Sequence, residues 1–330
     1  LCMYGYDKTQ IKLGFSEDKG FYRYRSGGHF MLQHLLNEAT YNIFRYTIAG
    51  DNINTVAPSS DHAIIVNTVA DADTEYNSLK SLEKYLGKNP ATKIINHPTR
   101  VLETTRDNNY ARLNTLEGFR FPRTERFITD GKTPQELTRT IEQSGFSFPL
   151  IIRETGTHTA VTTALIHKRD DLEQYLATVS RSSVYVIEFI ENASNEGHYS
   201  KIRFFSIDGA LYPVVYHTDE VWNVHGDNRK TFMASFDWMV EREQKFLDDP
   251  VSVIGSDVYQ RLQDLPKLIG LDFFGFDFTL LENGEILIFE LNPAMRHSFK
   301  HGQNFPYMMP HLQKISAAFD TMVRKRIQTD

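Results

Sequence analysis

The stretch LDFFGFDFTLLENGEILIFELNPAMR, residues 271–296, decides how this chain is read. Phe273 to Leu281 alternates and is rich in aromatics, Glu282-Asn283-Gly284-Glu285 carries turn residues, and Ile286 to Leu291 is nearly all apolar. That spacing predicts a β-hairpin. In an antiparallel pair, Asp277 on the first strand comes within reach of the far end of the second, where Glu290 and Asn292 stand two apart and face the same way. Two carboxylates and an amide oxygen are hard ligands suited to Mg²⁺, which takes one or two carboxylates plus substrate phosphates. A Glu at a strand end is often only solvated, and Asn-Pro often only opens a turn. Here the acid sits between Phe289 and Leu291 in a run that reads as buried, where an ionised group needs a partner or a metal.

Working outward, 330 residues exceed one small core and imply one large domain or two to three subdomains. A 41% hydrophobic and 24% charged composition is that of a globular protein, and 23 Phe with 16 Tyr imply well-filled cores. The net charge of −6 gives no global attraction to nucleic acid or to an anionic membrane. A single cysteine, Cys2, excludes an internal disulfide framework and fits a reducing, cytoplasmic setting. No run reaches the length of a membrane span, and the start lacks a basic-then-apolar signal pattern. The chain begins at Leu1, so an upstream region is an expectation.

Along the first hundred residues strands alternate with helices, which predicts a parallel α/β unit. A helix is expected over 28–40, strands over 41–48, 61–67 and 93–96, and a helix over 78–86. Residues 99–120 read as a helical segment. Helices at 133–145 and 170–179 then alternate with strands at 148–153, 161–166 and 184–190, with a polar loop at Glu154 to Ala160. A hairpin around Asp208-Gly209 spans 199–218. Helices over 233–247 and 256–269 precede the 271–296 hairpin, and an amphipathic helix over 310–326 closes the chain. The polar stretch HTDEVWNVHGDNRK, residues 217–230, holds His217, Trp222, His225, Arg229 and Lys230 and reads as a lid or substrate loop. HExxH, paired CxxC, Walker-type and GxSxG patterns are missing, so zinc-hydrolase and serine-hydrolase readings lack support.

The order of parts resembles the ATP-grasp superfamily, which includes glutathione synthetase, D-alanine–D-alanine ligase and the ligases that add glutamate to a ribosomal protein. The pieces are IINHPTRVLETTRDNNYARL (linker helix), FPLIIRETGTHTA (strand and phosphate loop), VYVIEFIE (hinge), KIRFFSIDGALYP (following hairpin) and Asp277…Glu290-Leu291-Asn292-Pro293 (metal motif). GTHTA, YSKIRFFSIDGALYP and WNVHG look most like a branch whose ATP-grasp-like domain follows tetratricopeptide repeats. The resemblance implies an α/β (α+β) fold with a parallel N-terminal domain over 1–98 and a linker helix over 99–125. A lid subdomain over 126–192 and a C-terminal subdomain over 193–330 would enclose the nucleotide.

The resemblance also implies the chemistry: an ATP- and Mg²⁺-dependent (or Mn²⁺-dependent) ligase joins a carboxylate to an amine through an acyl phosphate. Phosphoryl transfer is mostly positioning and charge neutralisation, so such a site needs metal ligands and cations more than a nucleophile. Asp277, Glu290 and Asn292 match the metal ligands. Arg153 and His158 match the phosphate loop, Glu188, Phe189 and Ile190 the adenine hinge, Lys201 and Arg203 the phosphate cations, and Arg203 the residue at the γ-phosphate. Arg296 is placed to hold a substrate carboxylate. Each has a plainer alternative: Arg153, Lys201 and Arg203 as solvated cations, Glu188 as a rim acid, His158 as an exposed loop residue, Arg296 in a salt bridge. Asn108 stands where many relatives carry a phosphate-binding lysine, Arg153 replaces a second, and Arg106 or Arg112 could restore the charge. Expected partners are small-molecule or peptide carboxylates and amines, not nucleic acid or membrane, with a homodimer allowed for. Two rival readings stay open, a phosphotransferase on the same scaffold and a nucleotide-binding module without turnover.

Overall fold

The computed structural model describes residues 1–7, 12–16, 21–25, 28–58, 62–157, 162–226 and 228–328. These fall into two units, the first from Leu1–Thr104, Ala193–Phe278 and Leu291–Asp330, the second from Thr105–Asn192 and Thr279–Glu290. The first unit opens with β1 (Cys2–Tyr6), followed by an antiparallel pair, β2 (Lys12–Ser16) and β3 (Phe21–Arg25). β1 then lies between β4 (Arg45–Ala49) and β5 (Ile65–Asn67), with β6 (Ile94–Ile95) beyond β5, all parallel. The helix α1 (Tyr76–Lys88) joins β5 to β6 and buries Leu82, Tyr85 and Leu86 against Met3, Ile48 and Ile65. Its apolar residues recur at helical spacing, which is why it forms.

The end of β1 also closes the start of α1. Asp7 accepts hydrogen bonds from the Asn77 and Ser78 amides, so a carboxylate from the sheet satisfies orphan donors at the positive end of the helix. Glu75, beside it and 5% exposed, accepts from the Asp7 amide at 3.1 Å. Burial, then the Asp7 charge, pushes the Glu75 carboxyl up to about 7. The folded state therefore binds a proton there that the unfolded chain releases near pH 4.5. Stability is full below that pH and falls as pH rises to about 7, by roughly 3 kcal/mol. Denaturant titrations of Glu75→Gln against the parent will show the decline flattened between these pH values.

The second unit carries α3 (Arg106–Leu113), β7 (Phe119–Arg120), β8 (Thr124–Ile128), α4 (Pro134–Gln143), β9 (Leu150–Glu154), β10 (Ala164–Ile166), α5 (Arg169–Leu176) and β11 (Ser183–Glu188). Its sheet runs β10-β9-β11-β8, antiparallel throughout. Leu137 and Ile141 of α4 and Leu172 and Leu176 of α5 pack with Leu150, Ile152, Val184 and Val186 in one core. Thr133 and Glu136 form a reciprocal capping box that fixes where α4 starts.

Re-entering the first unit, β12 (Tyr199–Ile207) and β13 (Ala210–Asp219) form a hairpin. Asp208 and Gly209 both take positive φ (49° and 82°), as a two-residue primed turn requires. Then come α6 (Asp237–Asp248), α7 (Pro250–Ile254), α8 (Ser256–Leu262) and α9 (Leu265–Ile269). β14 (Phe273–Leu280) and β15 (Ile286–Asn292) follow, and α10 (Lys300–Asn304) and α11 (Met309–Gln328) end the chain. β14 pairs antiparallel with β12. Phe273–Phe278 of β14 belong to the first unit, whereas Thr279 to Glu290 belong to the second, where Ile286 and Leu287 pair in parallel with Phe119 and Arg120. β14 is buried on both faces. Phe276 and Phe278 meet Phe204, which also meets Phe246 of α6, while Phe273 meets Phe319 of α11 edge-on at 5.2 Å.

Several local expectations are corrected. Residues 28–40 form no α-helix; Phe30, Leu32, Leu35 and Leu36 are buried, but the segment holds only short 3-10 turns at Leu32–His34 and Glu38–Thr40. The segment 99–120 breaks into α2 (Pro98–Leu102), α3 and β7. The helix expected over 256–269 is divided at Gln263-Asp264, with Pro266 opening its second half.

Candidate functional site

Three neighbouring strands of the first unit set the site's charges on one sheet face. Arg203 of β12 stands directly opposite Asp277 of β14, and Lys201, two residues earlier, opposite His217 of β13. Asp219 follows His217 by two, so it shares that face. The register makes the contacts. Arg203 donates from Nε and Nη2 to the two Asp277 oxygens at 2.6 and 2.7 Å, a planar fork on a carboxylate. Lys201 Nζ lies 3.7 Å from Asp277 Oδ2 and donates to the Val224 carbonyl at 2.5 Å. Asp277 is 3% exposed, so its charge is held by these cations rather than by water. Two residues before it, Gly275 makes room for Met295: a Cβ there would lie 2.4 Å from the Met295 sulfur.

Past the turn, the second carboxylate is also held by arginine. Glu290 Oε1 accepts from Arg106 Nη2 of α3, and Arg106 Nη1 donates to the Phe289 carbonyl at 3.3 Å. Asn292, two residues on, accepts the Ala294 amide at 2.6 Å through Oδ1, which fixes the Asn-Pro turn. Asn292 thus shapes a turn, and Glu290 has an ion partner rather than water alone. Among the described residues no three His, Cys, Asp or Glu side chains cluster as metal ligands.

The other expected residues fall as follows. Arg153 sits on β9 opposite Tyr185 and donates from Nη2 to the Thr157 carbonyl, so it braces the entry to the 154–160 loop. His158 lies outside the described residues. Glu188 ends β11, accepting from Arg120 Nη2 at 2.5 Å and the Arg123 amide at 3.0 Å, and Phe189 and Ile190 continue half-buried beyond it. The Glu188 side chain therefore ties the end of β11 to residues 120–123. Arg296 is exposed, as are Asn108 and Arg112 on α3, and the charge of Arg106 is directed at Glu290.

A further cluster is legible in the sequence only in part: His217 and Arg229 stand in the polar 217–230 stretch, but His217 belongs to β13 and both are buried. Arg229, 2% exposed, donates from Nη2 to Glu243 Oε2 and lies 4.2 Å over the Phe305 ring. Glu243, 0% exposed, also accepts the Tyr307 hydroxyl at 2.6 Å and the Tyr216 amide at 3.0 Å. Arg229 Nε and Nη1, His217 Nε2 and Asp219 Oδ2 are buried with no hydrogen-bond partner among the described residues. Each such group costs about 1–3 kcal/mol when left unsatisfied. Burial, then the charges of Lys201, Arg229, His225 and His301, push His217 down to about 3, so it is neutral at pH 7. Burial, Arg229 and Arg203 lower His301 to about 4. Arg229 and Glu243 stand fourteen apart in a loop and a helix, a separation with no periodicity to announce it.

Comparison with known proteins agrees with this architecture. The chain is similar to D-alanine–D-alanine ligase from Bacillus anthracis at TM-score 0.55 and 13% identity, covering 98% of this chain and 97% of that one. The same ligase complexed with ATP gives TM-score 0.53 at 13% identity, covering 100% and 98%. A RimK domain ATP-grasp protein from Sphaerobacter thermophilus gives 0.47 at 13%, covering 80% and 83%. No curated protein sequence matches. The chain has the ATP-grasp fold. Within it, residues 124–221 match the RimK-like ATP-grasp domain family. Among the described residues no helix is long and apolar enough to cross a membrane.

Proposed function

We propose that this protein is an ATP- and Mg²⁺-dependent ligase that joins a carboxylate to an amine through an acyl phosphate. The observation that carries the reading is Asp277, a carboxylate buried mid-strand and neutralised from β12 by Arg203 and Lys201. A buried acid in a phenylalanine-rich strand is expensive, and a hydrophobic residue there would pack as well. Its retention beside two cations fits a place where divalent metal and phosphate oxygens meet. Asp277, Glu290 and Asn292 offer the hard oxygen donors that would hold Mg²⁺. Bound there, the ion neutralises charge on the triphosphate tail.

The chain's own residues supply the rest. Arg203 and Lys201, now paired with Asp277, and Arg106, paired with Glu290, are the cations that would meet phosphate oxygens of a bound nucleotide. Arg153 holds the loop that follows β9 through Thr157. Arg296, exposed two residues beyond Ala294, remains the candidate for the substrate carboxylate. The compartment proposed is the cytoplasm.

The test is a screen of amino acids and short peptides for phosphate release with MgATP. A ligase leaves ADP and free phosphate, whereas ADP with a phosphorylated acceptor would overturn the ligase reading in favour of a kinase. In the same system Arg153→Ala is expected to weaken MgATP binding about tenfold or more, read by calorimetric titration. Unaltered affinity would remove Arg153 from the nucleotide site.

A further inference from the structure

The helix α6 buries Met239, Phe246 and Leu247, and Phe246 meets both Phe204 and Tyr216. It therefore covers the face of the β12–β13 pair opposite to the one that carries His217 and Asp219. Its outer side is not a plain solvated stripe. Three of the ten exposed large apolar side chains among the described residues stand at its two ends. Phe236 (38% exposed) and Trp238 (41%) mark its start, and Val251 (37%), in the first turn of α7, lies just past its finish. The aromatics belong to one connected set: Phe236 meets Phe232 at 5.1 Å, and His198 lies 6.1 Å from Phe232 and 5.7 Å from Trp238. Arg242 backs the Trp238 ring at 4.9 Å. Rings braced at the surface in a fixed arrangement, rather than folded inward, mark a contact surface.

Between these apolar ends Glu241 and Lys245 are exposed, and neither makes an ion pair among the described residues. Trp238, Glu241, Lys245 and Asp248 recur at steps of three, four and three, so they share one stripe along the helix. Along it the order is aromatic, acid, base, acid and then the aliphatic Pro250-Val251. A two-fold axis through the helix midpoint reverses that order. It sets Phe236 and Trp238 of one copy against Pro250 and Val251 of the other, and each Glu241 against a Lys245. Each Asp248 then lies beside a Trp238 indole, whose N–H is a donor. The stripe is complementary to itself in charge and in apolar content, whereas a partner of single charge would be repelled by Glu241 or by Lys245. We propose that this surface is where two copies of the chain pair, through antiparallel α6 helices. The dimer forms behind the sheet that carries Arg203 and His217, on its reverse face.

The experiment is sedimentation equilibrium of the full chain from low micromolar to near-millimolar concentration. It compares the parent, Glu241→Lys, Lys245→Glu, an equimolar mixture of those two variants, and Trp238→Ala. The parent is expected to show a monomer–dimer equilibrium. Either charge variant alone sets like charges face to face twice per dimer, which is expected to weaken association by about tenfold or more. Mixed together, the two variants regain both pairs and should form a heterodimer with about the parent's affinity. No merely structural role for these side chains would produce that rescue. Trp238→Ala is expected to weaken association by about tenfold or more. Both charges are exposed, so thermal melts of these variants should match the parent. A parent that stays monomeric throughout would overturn the proposal. So would single variants that dimerise like the parent, or a mixture that remains monomeric.

Discussion

Asp277→Asn is expected to lower MgATP-dependent phosphate release by about 10²–10³-fold, and Glu290→Gln by a similar factor. The argument is electrostatic. Asp277 is a buried acid on the central strand of its sheet, and an amide there keeps the shape but removes the charge that a divalent ion would meet. The fold should survive, since a neutral side chain is cheaper to bury than an ionised one. Arg203, about a fifth exposed, can turn its guanidinium toward water when it loses its partner. The measurement is steady-state phosphate release beside a circular-dichroism melt. Turnover unchanged with a native melt would mean that these carboxylates are structural ion-pair partners and nothing more.

The largest effect on stability is expected at Glu243. Glu243→Gln leaves the buried Arg229 guanidinium without its counter-charge and weakens the acceptor of the Tyr216 amide and Tyr307 hydroxyl. Removing one partner of a buried pair costs about 3–5 kcal/mol. The double variant Arg229→Met with Glu243→Gln should recover a good part of that loss, because both charges are then gone. Urea titrations of the parent, the single and the double variants measure the coupling directly. A single-variant loss within about 0.5 kcal/mol, the range of ordinary surface changes, would show that the pair is hydrated.

What could be read from the sequence was what periodicity and turn chemistry encode. The β14–β15 hairpin was placed almost to the residue, because aromatic alternation, an Asn-Gly turn and an apolar run each mark one part of it. The segment 28–40 misled for a physical reason. Its apolar residues are indeed buried, but burial fixes which side chains point inward and not whether the backbone closes α or 3-10 turns. β1 was missed because five residues, Cys2–Tyr6, are too few to show a period when both flanking strands lie more than forty residues away. At the site, residue types were legible and partners were not. Arg203 and Asp277 meet only because β12 and β14 pair in one register, and Arg106 meets Glu290 across a separation of 184 residues.

One small feature bears on where this protein could be cut. Asn96, at φ 60°, ends β6, and its side-chain amide behaves as an extra peptide unit: Nδ2 donates to the Phe273 carbonyl at 2.7 Å, and Oδ1 accepts the Phe273 amide at 2.9 Å. Its own amide donates to Asp272 at 2.8 Å, and Asn67 anchors its carbonyl at 2.9 Å. A single asparagine thus grafts the N-terminal parallel sheet onto the root of the strand that carries Asp277. The first hundred residues are therefore no detachable prefix to the rest of the fold: any trimmed version lacking them would leave the base of that strand with two raw, water-starved main-chain groups where its footing had been.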